Sequence, residues 1–333
     1  MFRFSIFSQS KEPTHMSTVH DSPAVRSSTA VQLDAFGGPE VLKLREVPAP
    51  QAGPGQLRVR VTAAGLNPMD WIMTADAETA ARFGLSLPVG FGTDFAGVVD
   101  QIGDGVTNFA LGDRVFGGAL SRSVADYVVV DADGATPANE AHHTPDDVDD
   151  RTGATITIAG RTAAAALAAI NLSSDDTVLI GGAGGGVGVF AVQLARLTGA
   201  RVIGTGSATS AEFLSSLGAE PVAYGDGLVD RVRALAPGGI TAAMDLHGTE
   251  TVDAAKELGV PNDRICTITT KLEGIPAGNG SDAAPGTLEE IAQLIAAGKL
   301  QVPIAESFPV EQIRQAAELQ GSRRVHGKVV IEL

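Results

Sequence analysis

The feature that most constrains this chain is a run of five glycines in seven residues, GAGGGVG at 182–188, between an apolar strand-like segment and an apolar helix-like one. A strand that turns this sharply into a helix needs residues without a Cβ, both for the turn and for close packing of the helix on the strand. The same turn leaves bare backbone N–H groups at the start of a helix, where an anion such as a pyrophosphate is bound. The strict G-x-G-x-x-G register begins with Ala183 in place of its first glycine, followed by Gly185 and Gly188. The predicted cradle is therefore Ala183, Gly184, Gly185, Gly186, Val187 and Gly188, and the predicted ligand a dinucleotide.

Around the turn the chain alternates apolar strand and helix. TVLIGG leads to GVGVFAVQLARLTG, then RVIGT, SAEFLSSLG, PVAY, VDRVRALA, ITAAMDL, ETVDAAKEL and RICTITT. Five strands with four intervening helices predict a doubly wound parallel sheet of the Rossmann kind, so the fold class is α/β. Residues 30–131 read instead as strand and turn throughout, with Leu57, Val59 and Val61 alternating with Arg58 and Arg60 as in a strand with one wet face. The final strand, GKVVIEL, needs a partner, which the β-rich part can offer. The expected division is a tail at 1–28, a β-rich domain at 29–152, the nucleotide domain at 153–284, and a return to the β-rich domain at 285–333. Residues 1–28 show no periodic face and no signal-peptide pattern, and read as a disordered extension, or as a docking segment using Phe2, Phe4 and Phe7.

The end of the second strand of a doubly wound domain selects between dinucleotides, because an acidic residue there binds a free ribose 2′-hydroxyl and repels a 2′-phosphate. Here that strand ends at Gly206 and Ser207, without a carboxylate, which favours NADP over NAD; no Arg or Lys follows, and Glu212 lies five residues on. Composition removes other classes. Acidic residues outnumber basic ones by 39 to 24 for a net charge of −15, which repels nucleic acid and anionic lipid. No apolar stretch approaches the roughly 20 residues of a membrane helix. A single cysteine, Cys266, fits a reducing cytoplasm and cannot furnish a thiolate zinc cluster.

Several motifs in order, AFGGPEVL (35–42), GLNPMDW (65–71), GTDFAGVV (92–99), GDRVF (112–116), ADYVVV (125–130), GAGGGVG, LGAEPVAY (217–224) and HGKVV (326–330), resemble the medium-chain dehydrogenase/reductase superfamily in its zinc-free quinone oxidoreductase, zeta-crystallin-like, branch. The resemblance covers about residues 30–333. It implies a GroES-like barrel, a Rossmann domain, NADPH in the cleft between them, and a homodimer. Zinc-dependent relatives carry Cys at the position of Asn67, a His-Glu pair at Thr93 and Asp94, and a further Cys near 158–160, so no metal is expected. His142 and His143, adjacent in an acidic stretch, read as ornaments of a solvated loop rather than ligands.

Without a metal, an ordinary ketone lacks an electrophile strong enough to receive hydride, whereas a quinone or an α,β-unsaturated carbonyl spreads the charge by resonance and needs only modest donors. A small electrophilic molecule of that class is the expected substrate. The resemblance makes Asn67 a donor to the substrate oxygen, Asp70 an organiser of the loop or a water, and Thr162 a neighbour of the nicotinamide. It also brings Tyr224 to the 2′-phosphate, where Ser207 is a second donor. Each has a structural alternative: Asn67 as a turn former before Pro68, Asp70 and Thr162 as helix caps, and Tyr224 as a packed strand end. Lys328 reaches either the cofactor or solvent on the barrel surface, solvent being the simpler reading. Trp71 and Phe91 wall the cleft or fill the barrel. The proton donor is open, because Ile72 stands where some quinone reductases have tyrosine. Two rival functions remain: reduction of enoyl-thioesters or alkenals, and a non-catalytic NADPH-binding sensor or structural protein.

Overall fold

The computed structural model describes residues 27–134 and 138–333; the expectation for the first 26 residues lies outside them. The chain opens with strands β1 (Ser27–Leu33) and β2 (Lys43–Pro48), an antiparallel pair. The long strand β3 (Gln56–Leu66) follows, then two short helices, α1 (Pro68–Thr74) and α2 (Ala77–Arg82). These helices interrupt what reads in sequence as strand and turn only. Pro68 is preset for the first helical turn, and the α1 side chains Met73 and Thr74 are buried. Strands β4 (Val89–Gly90), β5 (Asp94–Ile102), β6 (Arg114–Ala119), β7 (Tyr127–Asp131) and β8 (Asn139–His143) complete this run. Helix α3 (Asp150–Gly153) and the alanine-rich α4 (Thr157–Ala169) leave it.

Helix α4 leads to the alternating part: β9 (Thr177–Gly181), α5 (Gly188–Leu197), β10 (Arg201–Gly206), α6 (Ala211–Leu217), β11 (Glu220–Ala223), α7 (Leu228–Leu235), β12 (Ala242–Asp245), α8 (Glu250–Glu257) and β13 (Ile265–Thr267). Its five strands are parallel in the order β11-β10-β9-β12-β13, the doubly wound arrangement, with the direction of winding reversing at β9. After α9 (Thr287–Ala296) come β14 (Ile304–Pro309), α10 (Ile313–Gly321) and β15 (Lys328–Glu332). β15 lies antiparallel to β3, with Val330 opposite Gly65, and β14 runs parallel to β15. The resulting seven-stranded sheet, β14-β15-β3-β5-β6-β8-β7, curls until β7 also pairs with β3.

Curling explains why the wet face expected of β3 is only partly wet. Arg60 is exposed, but Arg58 is 2% exposed, with two guanidinium nitrogens on Asp100 at 2.9 and 3.0 Å, a third contact to the Pro50 carbonyl, and its plane over the Tyr127 ring. A buried guanidinium is tolerated because its donors are satisfied. The two sheets share one core through α4, where Ile156, Ala159 and Ala163 pack among Ala63, Ala96 and Phe116 on one side and Val178 and Phe190 on the other.

Candidate active site

The glycine turn leaves β9 at Gly182, whose φ of +71° is in the left-handed region. A Cβ on Gly188, the first residue of α5, would stand 2.4 Å from the carbonyl oxygens of both Gly182 and Ala183, so no other residue fits. Ala183, the departure from the glycine pattern, is fully buried and is accommodated by Gly204 across the sheet, where a Cβ would come within 2.9 Å of the Ala183 methyl. That compensation is a feature the sequence reading passes over. The turn is tied to β10 by Gly182 N–H donating to Thr205 Oγ1 at 3.1 Å. Residues 326–328 cross over it: Gly327 N–H donates to the Gly184 carbonyl at 2.9 Å, and a Cβ on Gly186 would touch Lys328 Cδ at 3.2 Å. This is a helix N-terminus at a turn of bare backbone, in which Gly185 N–H is held by the Gly182 carbonyl at 3.0 Å; a helix start of this kind is a place where a pyrophosphate is accepted.

At the end of β10, Gly206 leaves no room for a side chain beside Leu214, and Ser207 follows with its hydroxyl 2.6 Å from Ser210 Oγ. Tyr224 is 57% exposed beyond β11 and bonded through its amide to the Gly206 carbonyl, so its ring is free on the surface next to Ser207 rather than packed. These two residues and the glycine turn line one end of the cleft.

The stem of Lys328 leads from this turn to a buried polar cluster made from three segments. Asn67 follows β3, Asp70 lies on α1, Thr93 and Asp94 start β5, and Lys328 starts β15. Asn67 Nδ2 donates to Asp94 Oδ2 at 3.0 Å, and Asn67 Oδ1 accepts from Lys328 Nζ. Lys328 Nζ is 3.7 Å from the same Asp94 oxygen, while Asp94 Oδ1 accepts from the Ile158 amide at the first turn of α4. Asp70 accepts from Asn67 N–H at 2.8 Å and from the Thr93 hydroxyl at 2.9 Å. All five side chains are nearly inaccessible, at 3% or less. Burial pushes the Asp94 carboxyl up and the Lys328 ammonium down, each opposed by the other's charge. Burial, with the Asp94 charge adding to it, pushes Asp70 up to about 7 against its two hydrogen bonds.

These positions correct several expectations. Lys328 is not a solvated surface lysine: β15 lies between β14 and β3, and its first side chain is 2% exposed. Asn67 spends one N–H and an oxygen lone pair inside the protein, which leaves its second N–H as its remaining donor. Asp70 does bond back to the amide that precedes α1, the capping role, yet it also joins the cluster. Thr162 is not a helix cap: α4 begins at Thr157, so Thr162 lies on its second turn, with its hydroxyl facing Gly280. His142 and His143 are not on a solvated loop, because they end β8. His142 Nδ1 is 2.8 Å from Glu289 Oε1 on α9, and its Nε2 lies 3.3 Å from Glu140 Oε2, off the line of a hydrogen bond. Arg161 on α4 completes this second cluster with a 2.6 Å bond to Glu140. Burial lowers the His142 imidazole's affinity for a proton, but the two carboxylates outweigh it and raise its pKa. Trp71 packs on Phe91 at 5.2 Å and donates to Gln320, pinning α1 to α10. Thr93, Asp94, Arg161 and Glu140 are members the sequence reading missed as positive contributors; the unusual Arg161 before Thr162 was the one available signal.

Comparison with known proteins agrees with this architecture. The alcohol dehydrogenase GroES-like domain family matches residues 53–140, and the zinc-binding dehydrogenase family matches residues 217–331. The quinone oxidoreductase of Lama guanicoe is 30% identical over 334 residues, 92% of this chain and 98% of that one. The quinone oxidoreductase structure from Coxiella burnetii superimposes with a TM-score of 0.75 at 26% identity, over 92% of this chain and 99% of its own. A mycobacterial protein complexed with NADPH has the same fold, with a TM-score of 0.77 at 24% identity over 92% and 100% of the two chains. The chain belongs to the medium-chain dehydrogenase/reductase superfamily. Within it, the chain falls in the quinone oxidoreductase branch and is an oxidoreductase.

One of the matching families is named for zinc, and the cluster can be tested against that ion. Tetrahedral catalytic zinc takes three donors of thiolate, imidazole or carboxylate type. At the corresponding place this chain has an amide, a hydroxyl and one carboxylate that already faces an ammonium, so an entering cation would have to displace a cation. This donor set does not fit zinc. Among the described residues no group of three or more His, Cys, Asp or Glu is disposed to hold a metal ion, and no helix is long and apolar enough to cross a membrane.

Proposed function

We propose that the chain is an NADPH-dependent reductase delivering hydride to a quinone or an α,β-unsaturated carbonyl, with a lysine ammonium in place of a metal. The observation that carries this reading is Lys328, buried against Asn67 and Asp94 while its stem lies on the glycine turn. The residues fit a dinucleotide: the glycine turn at the start of α5 would hold a pyrophosphate, and Ser207 and Tyr224 would flank the adenosine ribose, with no carboxylate at the end of β10 to repel a 2′-phosphate. The reduced nicotinamide supplies the hydride when bound.

The chain's own residues then have separate tasks. Asn67 holds the substrate oxygen through its remaining N–H, and that donor is strengthened because Lys328 polarises the amide from its oxygen side. Asp94, anchored by the Ile158 amide, fixes the rotamer of Asn67. Asp70 holds the Asn67 backbone and Thr93 in place, and the proton that completes reduction comes from water. Thr162, one helical turn beyond the α4 terminus that holds Asp94, borders the nicotinamide. An electrophile of this strength suits an acceptor that delocalises charge and is too weak for a simple ketone.

Stopped-flow oxidation of NADPH against a panel of quinones, enones and ketones tests the proposal. Rapid turnover of the electron-poor acceptors with ketones inert supports it; tight NADPH binding with no turnover of any acceptor, unchanged by Asn67→Ala, returns the non-catalytic reading. The homodimer rests on the family resemblance, and a monomer in sedimentation would refute it. A cytoplasmic setting is supported by the single buried thiol, Cys266.

A further inference from the structure

The 2′-phosphate end of the cleft has a charge problem. Ser207 is the first residue past β10, the place where the adenosine ribose of a dinucleotide lies, yet between it and the end of α6 the chain supplies no Arg or Lys. Two serine hydroxyls alone cannot balance a phosphate dianion, and their oxygens are already 2.6 Å apart in a bond to one another. What completes the set comes from the far end of the chain. His326 Nε2 is 2.9 Å from Ser210 Oγ, so imidazole and both hydroxyls form one connected line.

The ring is held as a ligand would need it. It stacks on Phe213 of α6 at 4.6 Å between centroids and 11° between planes, while its edge lies against the glycine turn, 3.4 Å from where a Cβ of Gly184 would stand. The backbone beside it is fixed by Gly327 N–H on the Gly184 carbonyl and Lys328 N–H on the Pro303 carbonyl. His326 is half-buried, so part of its ring remains accessible. It thus bridges the pyrophosphate turn and the ribose end, a position from which a single imidazole can serve a phosphate at the 2′ carbon.

We infer that His326 is the residue by which this protein distinguishes a 2′-phosphorylated dinucleotide from its unphosphorylated counterpart, acting with Ser207 and Ser210. The inference rests on the dinucleotide reading of the glycine turn and adds to it a recognition element from the C-terminal segment. An imidazole N–H gives the phosphate a donor in a bond that the phosphate's own charge assists, and the hydroxyl pair supplies further donors.

The test uses isothermal titration of the full chain with NADPH, NADH, 2′,5′-ADP and 5′-AMP. Wild type is expected to prefer 2′,5′-ADP over 5′-AMP by about tenfold or more, and His326→Asn to lose that preference while its affinity for 5′-AMP changes less than about twofold. His326→Arg, which keeps a planar cation on Phe213, should retain the preference, and Ser210→Ala, which cuts the line from the other side, should lose part of it. Equal losses for both adenosine phosphates in His326→Asn, or no loss in either, would overturn the inference. If wild type binds NADH as well as NADPH, the inference fails and the dinucleotide site stands. If wild type binds neither dinucleotide, the underlying site reading fails.

Discussion

The two ends of the cleft are built on opposite plans. At the nucleotide end, recognition is by backbone: a seven-residue turn presents N–H groups, and close packing, such as Gly188 on the Gly182 and Ala183 carbonyls, fixes its shape. At the other end stand buried polar and charged groups: Asn67, Asp70, Asp94 and Lys328 converge from segments up to 261 residues apart. The first plan is local and sterically absolute. The second is non-local and held together by mutual neutralisation, so each member's protonation depends on the others. A cradle for phosphate can be written in one stretch of sequence, whereas a charge inside a protein must be paid for by partners that the fold brings in.

The sharpest way to break the contrast is to fill the turn. Gly188→Val should abolish NADPH binding and destabilise the protein by about 3 kcal/mol or more, because a side chain there meets two backbone carbonyls that cannot move. Titration of NADPH and thermal melting read both effects. Lys328→Met tests the other plan: hydride transfer to a quinone should slow by at least about 100-fold while NADPH affinity stays within about tenfold. If affinity collapses and the transfer rate holds, Lys328 serves the cofactor alone. Adding Asp94→Asn to Lys328→Met should recover stability lost to the unpaired carboxylate, and a melt compares the single and double variants.

Two smaller predictions follow the charges through pH. Asp70 holds its proton up to about 7 in the folded protein against an ordinary 3.8, so it favours the fold at low pH and that contribution drains away as pH rises to about 7. Between pH 5 and 8 its share of the lost stability is about 2 kcal/mol, which denaturant titration should show to be absent in Asp70→Asn. His142, between Glu140 and Glu289, also has a raised pKa. Its stabilisation of β8 against α9 is complete below the ordinary histidine value of about 6.5 and lost above the folded one, and His142→Asn should flatten that upper limb in a denaturant titration.

The same contrast governs what could be read from the sequence. The five parallel strands and the glycine turn announce themselves because apolar periodicity and glycine spacing are local signals, and the strand ending at Gly206 and Ser207 is legible for the same reason. Asn67 and Asp70 stand in a motif, but the partners that the structure gives them do not, because nothing near Lys328 in sequence tells that β15 pairs with β3 and buries that side chain. Helix α1 is visible in sequence only as the alternative in which Asp70 caps a helix, and α2 not at all, because such short segments gain their stability from tertiary packing, as Trp71 shows by bonding Gln320 on α10. His142 was misread because its acidic neighbours suggest solvent, when two carboxylates and Arg161 in fact enclose it.

The central claim is that the electrophile is an ammonium acting through an amide. Single-turnover hydride transfer from NADPH to a quinone, measured for wild type before and after exhaustive chelation and for Lys328→Met, tests it most directly. Chelation should leave the wild-type rate unchanged, and the substitution should slow it by at least about 100-fold. A rate abolished by chelation and restored by zinc, or a Lys328→Met rate equal to wild type, would contradict it.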